Sequence, residues 1–163
     1  MAKDRTEQLG DNVLRLLDGV DLDAKVGLAL QLVTVASDGA PHSSLLSVGE
    51  VRAASPRRLG LALWASSTTT SNLRRHPWAS LLVVVDGMYY DIELAATAHP
   101  AGDGTPAGLA LFGAEVRCVH RDVVPYADVT SGITYRLREP GSVLERWTHT
   151  VEALRMAEES LAR

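Results

Sequence analysis

The sequence predicts an α+β protein built on a closed or nearly closed antiparallel β-barrel of six or seven strands. Three observations carry this. Apolar and alternating runs follow one another through hairpin turn signals and not through helical crossovers. Only one short helix is inserted among the strands. Longer helical patterns stand at the two ends of the chain, and the whole, residues 1–163, reads as one domain.

Leu9, Val13, Leu16 and Leu17 recur at helical spacing, which predicts an amphipathic helix over Thr6–Leu17, closed near Gly19. Leu28–Ser37 follows as a strand rich in β-branched residues, then the turn Ser37-Asp38-Gly39-Ala40-Pro41. A returning strand over His42–Arg52 completes a hairpin. Leu59–Ala65 is almost wholly apolar, as a strand covered on both faces would be. A short helix containing Leu73 ends before Pro77, whose ring pushes His76 to an extended conformation. Ala79–Val85 is again apolar and meets the strongest hairpin signal, Asp86-Gly87. Beyond it Met88–Ala98 alternates: Met88, Tyr90, Ile92, Leu94 and Ala96 share one face, Tyr89, Asp91, Glu93 and Thr97 the other.

His99–Pro106 is a loop by composition. Phe112, Ala114, Val116 and Cys118 alternate with Gly113, Glu115, Arg117 and Val119, another strand, while Ala107–Leu111 fits either its start or a short helix. Ile133, Tyr135 and Leu137 form a weaker strand candidate. Ser142-Val143-Leu144-Glu145 reads as a capping box, after which Leu144, Trp147, Val151, Leu154 and Leu161 mark one face of a C-terminal helix.

A net charge of −4, with no basic run beyond Arg57-Arg58 and Arg74-Arg75, argues against a nucleic-acid or anionic-membrane surface. The opening residues MAKDRTEQLGDN lack the apolar core of a signal peptide, and no apolar stretch is long enough to span a bilayer. A single cysteine, Cys118, excludes an internal disulfide framework and suits a reducing cytoplasm, the expected location.

The stretch with most chemical content is Leu59–Val85. Between its strand and its helix stand six hydroxyl side chains in a row, Ser66, Ser67, Thr68, Thr69, Thr70 and Ser71, followed by Asn72. A strand feeding a helix N-terminus through such residues offers backbone N–H groups, the positive end of a dipole and hydroxyl donors, a place for an anion and above all phosphate. One Ser or Thr would suffice as an ordinary helix cap, and helix capping is the simpler reading. His42-Ser43-Ser44 opens a strand with polar side chains, either as a hairpin end near solvent or as a rim that hydrogen-bonds a heteroaromatic ligand. Trp64 fits core or ligand wall, and Trp147 is most economically a packing anchor.

Other chemistries find less support. There is no G-x-S-x-G elbow for a hydrolase. His42, His76, His99, His120 and His149 are scattered, with no pair at metal-ligating spacing, so no metal is expected. Cys118 alternates with core residues and reads as a small buried hydrophobe.

Three stretches taken together, LVTVASDGAPHSSLLSV, LGLALWASSTTTSNLRRHPWASLLVVV and DGMYYDIELAATA, resemble the pyridoxamine 5′-phosphate oxidase-like family of FMN-binding split barrels. The similarity runs from Leu30 to about Val119 and rests on the order and spacing of elements. Relatives often carry N-L-x-x-N-P where this chain has Asn72-Leu73-Arg74-Arg75-His76-Pro77. The resemblance implies a homodimer with FMN at the subunit interface and a flavin-dependent oxidoreductase acting on a small molecule or a nicotinamide donor. It places Ser66, Ser67, Thr68, Thr69, Thr70, Ser71 and Asn72 along the phosphate and ribityl end, beside Trp64, and His42, Ser43 and Ser44 near the isoalloxazine edge. A partner subunit would bring Tyr89 or Trp147 toward the ring. No catalytic residue is assigned.

One departure matters. Many relatives place Arg or Lys in the turn where this chain has Thr69, Thr70 and Ser71, and charge-assisted hydrogen bonds are roughly twice as strong as neutral ones. Arg74 and Arg75 stand within about a turn. The alternatives are therefore a deazaflavin or haem as cofactor, a non-catalytic sensor, carrier or stress buffer, or a cofactor-free barrel. The substrate-phosphate arginines and histidine of true pyridoxamine phosphate oxidation are not visible.

Overall fold

In the computed structural model, which describes residues 2–163, the chain runs β1 (Ala2–Thr6), α1 (Asp11–Leu16), β2 (Leu30–Val35), β3 (Pro41–Leu46), β4 (Val51–Ser55), β5 (Arg58–Trp64), α2 (Thr68–Arg75), β6 (Trp78–Val85), β7 (Met88–Ala98), β8 (Leu109–Val123) and α3 (Pro140–Leu161). The strands form one antiparallel sheet in the order β3-β2-β6-β7-β8-β5-β4, with β1 on the far end of β8. Asp86 and Gly87 both take positive φ, 50° and 73°, as a type I′ hairpin turn requires. Every residue of β6 is consequently in register with β7, from Trp78↔Ala95 to Val85↔Met88.

The sheet has to curl. Seven strands laid flat span roughly 29 Å at about 4.8 Å per neighbour, yet its two end strands are joined by the short segment from Leu46 to Val51, which reaches at most about 18 Å. That segment is a tight turn in which the Glu50 carboxylate accepts from the Ser47 amide and hydroxyl, both at 2.7 Å. The result is an open, split barrel. Its inside is filled by Leu32, Leu61, Leu81, Ile92 and Phe112, all fully buried, each contributing about 1.5–3 kcal/mol. α1 adds Val13 to this core and α2 adds Leu73. α3 lies on the outside of β5, where Ala153 and Leu154 pack with Ala62 and Leu111 in a second cluster. The apolar run of β5 is thus covered on both faces within one chain.

Several expectations are corrected. The predicted strand His42–Arg52 is two strands, β3 and β4, at opposite ends of the sheet, because the Ser47–Glu50 turn breaks it. The predicted helix Thr6–Leu17 is shorter, since Thr6 belongs to β1, an edge strand held by backbone pairing with β8 and invisible to apolar periodicity. Ile133–Leu137 is irregular, tied to the chain around Leu28 by one bridge and flanking amide bonds. α3 starts at Pro140, so the capping box does not form; Ser142 donates instead to the Glu139 carbonyl. Leu161 is exposed. Ala107 and Gly108 form a turn, and the strand starts at Leu109.

Cys118 is buried as expected, but apart from the two packed clusters and on the outer face of the sheet. The pairing of β7 with β8 shifts between Glu93 and Leu94: Glu93 faces Cys118 while Leu94 faces Val116, leaving Arg117 as the extra residue of a bulge. Past the bulge the alternation inverts. Val119 points inward beside Ile92, and Cys118 and His120 turn to the outer face.

Candidate functional site

The hydroxyl run after β5 divides into inward and outward sets. Ser67 is the N-cap of α2, its hydroxyl oxygen accepting from the Thr70 amide at 3.1 Å. Thr70 donates its hydroxyl to the Trp64 carbonyl at 2.8 Å, and Thr69 donates to Ser44 Oγ at 3.1 Å. Asn72 Nδ2 donates to Thr34 Oγ1 at 3.0 Å, and its Oδ1 accepts from Arg75 at 2.9 Å. Thr34, Thr69, Thr70 and Asn72 are all buried. Their side chains bind α2 to β2, β3 and β5 and are taken up in doing so, as buried polar groups must be. Replacing Asn72 with alanine is expected to cost about 1–3 kcal/mol, because the Thr34 hydroxyl loses its donor inside the barrel. Urea unfolding measures this; a loss within a few tenths of a kcal/mol would contradict the fastening role.

The outward set is Ser66, Thr68 and Ser71, all exposed. The amides of Thr68 and Thr69 precede the first intrahelical hydrogen bond and point out of the helix end. No acidic residue stands in the first turn of α2, and Arg74 and Arg75 close its last turn, so the N-terminal end carries an uncompensated positive potential.

Trp64, which ends β5 just before this run, is 51% exposed. Its ring is covered on one side by the Arg146 guanidinium of α3, 5.6 Å from the ring centroid, a cation–π contact. Arg146 is the functional candidate that sequence reasoning missed. It belongs to a different element, and only the docking of α3 across β5 brings it over Trp64.

The other candidates separate. On β3, His42 and Ser44 stand opposite Thr34 and Leu32 on the inner side, whereas Ser43 faces out and accepts from Gln31 Nε2 at 2.8 Å. Tyr90 is in the core, its hydroxyl accepting from Asn12 Nδ2 at 2.9 Å. Tyr89 is half-buried on the outer face. Burial first, then Asp91 and Asp122, push its phenol above the ordinary value, so it remains a neutral hydroxyl. Trp147 is buried against Gly49, where a Cβ would meet its Cγ at 2.0 Å; it is the packing anchor. On the outer face of β2, β6 and β7, Val33, Val35, Trp78, Ser80 and Glu93 line a cleft of about 350 Å³.

No protein-family model matches the chain. The uncharacterized protein YclD of Bacillus subtilis (strain 168) is 34% identical over 151 residues, spanning 93% of this chain and 98% of YclD. The chain belongs to the YclD family. Among solved structures, this YclD-family chain is similar to a candidate pyridoxamine 5′-phosphate oxidase from Lactobacillus delbrueckii (TM-score 0.57, 18% identity, 73% of this chain and 98% of that one). It is also similar to HupZ of Group A Streptococcus (TM-score 0.51, 12% identity, 68% and 98%). The fold of this chain is thus the pyridoxamine 5′-phosphate oxidase-like split barrel. At such identities the likeness speaks for the fold, and function has to be argued from the site.

Proposed function

We propose that the chain binds FMN and acts as a flavin-dependent oxidoreductase, with the cofactor phosphate at the N-terminus of α2. The observation that carries this is the exposed N-terminal end of α2, where the Ser66, Thr68 and Ser71 hydroxyls accompany the leading amides and no acidic residue opposes them, in a stretch that follows Trp64 with its Arg146 contact. The donor set fits a phosphate: neutral hydroxyls and amides in a field of positive sign, with Arg146 beside Trp64 proposed as the charged partner. Bound FMN would supply the hydride or electron transfer. The chain's own part is to hold and orient. Thr69, Thr70 and Asn72 fix α2 to the sheet and Ser67 caps it, so the outward donors are set in place before a ligand arrives. Trp64 offers an apolar ring face, and no side chain is assigned as acid or base. Anaerobic mixing of the FMN-loaded protein with NADH or NADPH tests the enzymatic half. Bleaching of the bound flavin supports an oxidoreductase; flavin that binds but stays oxidised with both donors makes it a binding protein.

Two copies are further proposed to associate through the outer face of β3, β2 and β6. Leu45 and Trp78 are 55% and 53% exposed there, beside Val33 and Val35, an apolar strip of the kind that marks an interface. Sedimentation at micromolar concentration should give a dimer, and Trp78→Glu should dissociate it; a wild-type monomer would contradict the association. A cytoplasmic setting is supported by the single unpaired cysteine. No helix among the described residues is long and apolar enough to cross a membrane.

A further inference from the structure

On the outer face of the sheet, the bulge in β8 assembles a second group of donors that chain spacing hides. Glu93 of β7 stands directly opposite Cys118 of β8, and His120 follows two residues later on the same face, opposite Asp91. His120 Nε2 lies 2.9 Å from Glu93 Oε1. One ligand atom from each of Glu93, Cys118 and His120 can be chosen so that all lie within 4.8 Å of one another. Cys118 is 1% exposed, while Glu93 and His120 are half-buried, so the group is rooted in the sheet and open on one side. A cation already faces the sulfur: the exposed Arg5 donates Nε–H to Cys118 Sγ at 3.0 Å. Beside the imidazole, Asp91 Oδ1 is buried with no hydrogen-bond partner among the described residues.

We propose that Glu93, Cys118 and His120 bind a divalent ion of the zinc type. Donor chemistry selects the ion. One thiolate, one imidazole and one carboxylate suit a borderline-soft metal, whereas calcium and magnesium call for oxygen ligands alone. In a tetrahedral zinc site such donors stand about 3.3–3.6 Å apart, as follows from metal–ligand bonds of about 2.0–2.3 Å. To reach that spacing the Glu93–His120 pair opens slightly from 2.9 Å, the sulfur draws in from within the 4.8 Å group, and the exposed Arg5 side chain withdraws while its backbone stays paired with β8. Binding through Nε2 leaves His120 Nδ1–H to donate, and Asp91 is the acceptor at hand, the arrangement that orients metal-bound histidines. Three protein ligands leave a fourth position for water. Glu93 also lines the cleft beside Trp78, so that position opens next to an apolar pocket.

The test uses the full-length protein without added flavin, stripped with a chelator and dialysed against one equivalent of Zn²⁺ or Co²⁺. The wild type is expected to retain a single ion per chain and, with Co²⁺, to show a thiolate-to-cobalt charge-transfer band. Cys118→Ser should abolish the band. His120→Gln and Glu93→Gln, at half-exposed positions where folding is not at stake, should weaken binding by roughly tenfold or more. Wild-type protein that retains no metal, cobalt bound without the thiolate band, or Gln variants that bind as tightly as wild type would each overturn the assignment.

Discussion

Trp147→Ala is expected to lower the unfolding free energy by about 3–5 kcal/mol, a large share of the roughly 5–15 kcal/mol that holds a domain folded. The indole is buried, and it packs on Gly49 in the turn that joins the two ends of the sheet. Removing it opens a cavity at the one place where the strand order is drawn round into a barrel, and unpins α3 from β4. Gly49→Ala probes the same contact from the other side. Its methyl would stand 2.0 Å from Trp147 Cγ, and overpacking of this kind costs about 1–3 kcal/mol. Urea unfolding of both single variants and of the pair measures the coupling. A cost below about 1 kcal/mol for Trp147→Ala, or strict additivity in the pair, would show that the turn does not depend on this contact.

The second large effect concerns the ligand. Ser66→Ala combined with Thr68→Ala should weaken FMN binding by roughly a hundredfold, since a hydrogen bond to a charged group is worth about 1.5–3 kcal/mol. Arg146→Gln should weaken it further and make the remaining affinity less sensitive to salt, because it removes the charged partner of the phosphate. All three residues are exposed, so these substitutions leave stability within about 0.5 kcal/mol. The inward residues behave in the opposite way: Asn72→Ala costs stability first. Fluorescence titration with FMN beside urea unfolding separates the two classes. Equal FMN affinity in wild type and in the Ser66/Thr68 double variant would remove the phosphate assignment.

Much of this fold is legible because its signals are local. Asp86-Gly87 names its own turn, Pro77 ends α2 where its ring requires, and the alternation of Met88–Ala98 matches the observed strand. What is not legible depends on partners distant in the chain. β1 has the composition of an exposed arm and becomes a strand only because β8 extends past β5 and leaves an edge to pair with. The break between β3 and β4 comes from Glu50 folding back on Ser47 and from the room Gly49 leaves for Trp147. At the candidate site the hydroxyl run is conspicuous in the sequence, but which hydroxyls face the barrel is decided by where α2 docks. Arg146 carries no local mark at all. The bulge at Arg117 is the sharpest case: strict alternation puts Cys118 with Val116, and one extra residue moves it to the opposite face, beside Glu93 and His120.

Flavin binding is the central claim, and the absorption spectrum of the purified protein tests it most directly, recorded before and after FMN is added and the excess removed. Flavin bands that persist in proportion to protein are the expected result. A protein that emerges colourless after the same treatment would contradict it, leaving the Ser/Thr run as a helix cap and the fastening of α2; a Soret band would assign the site to haem.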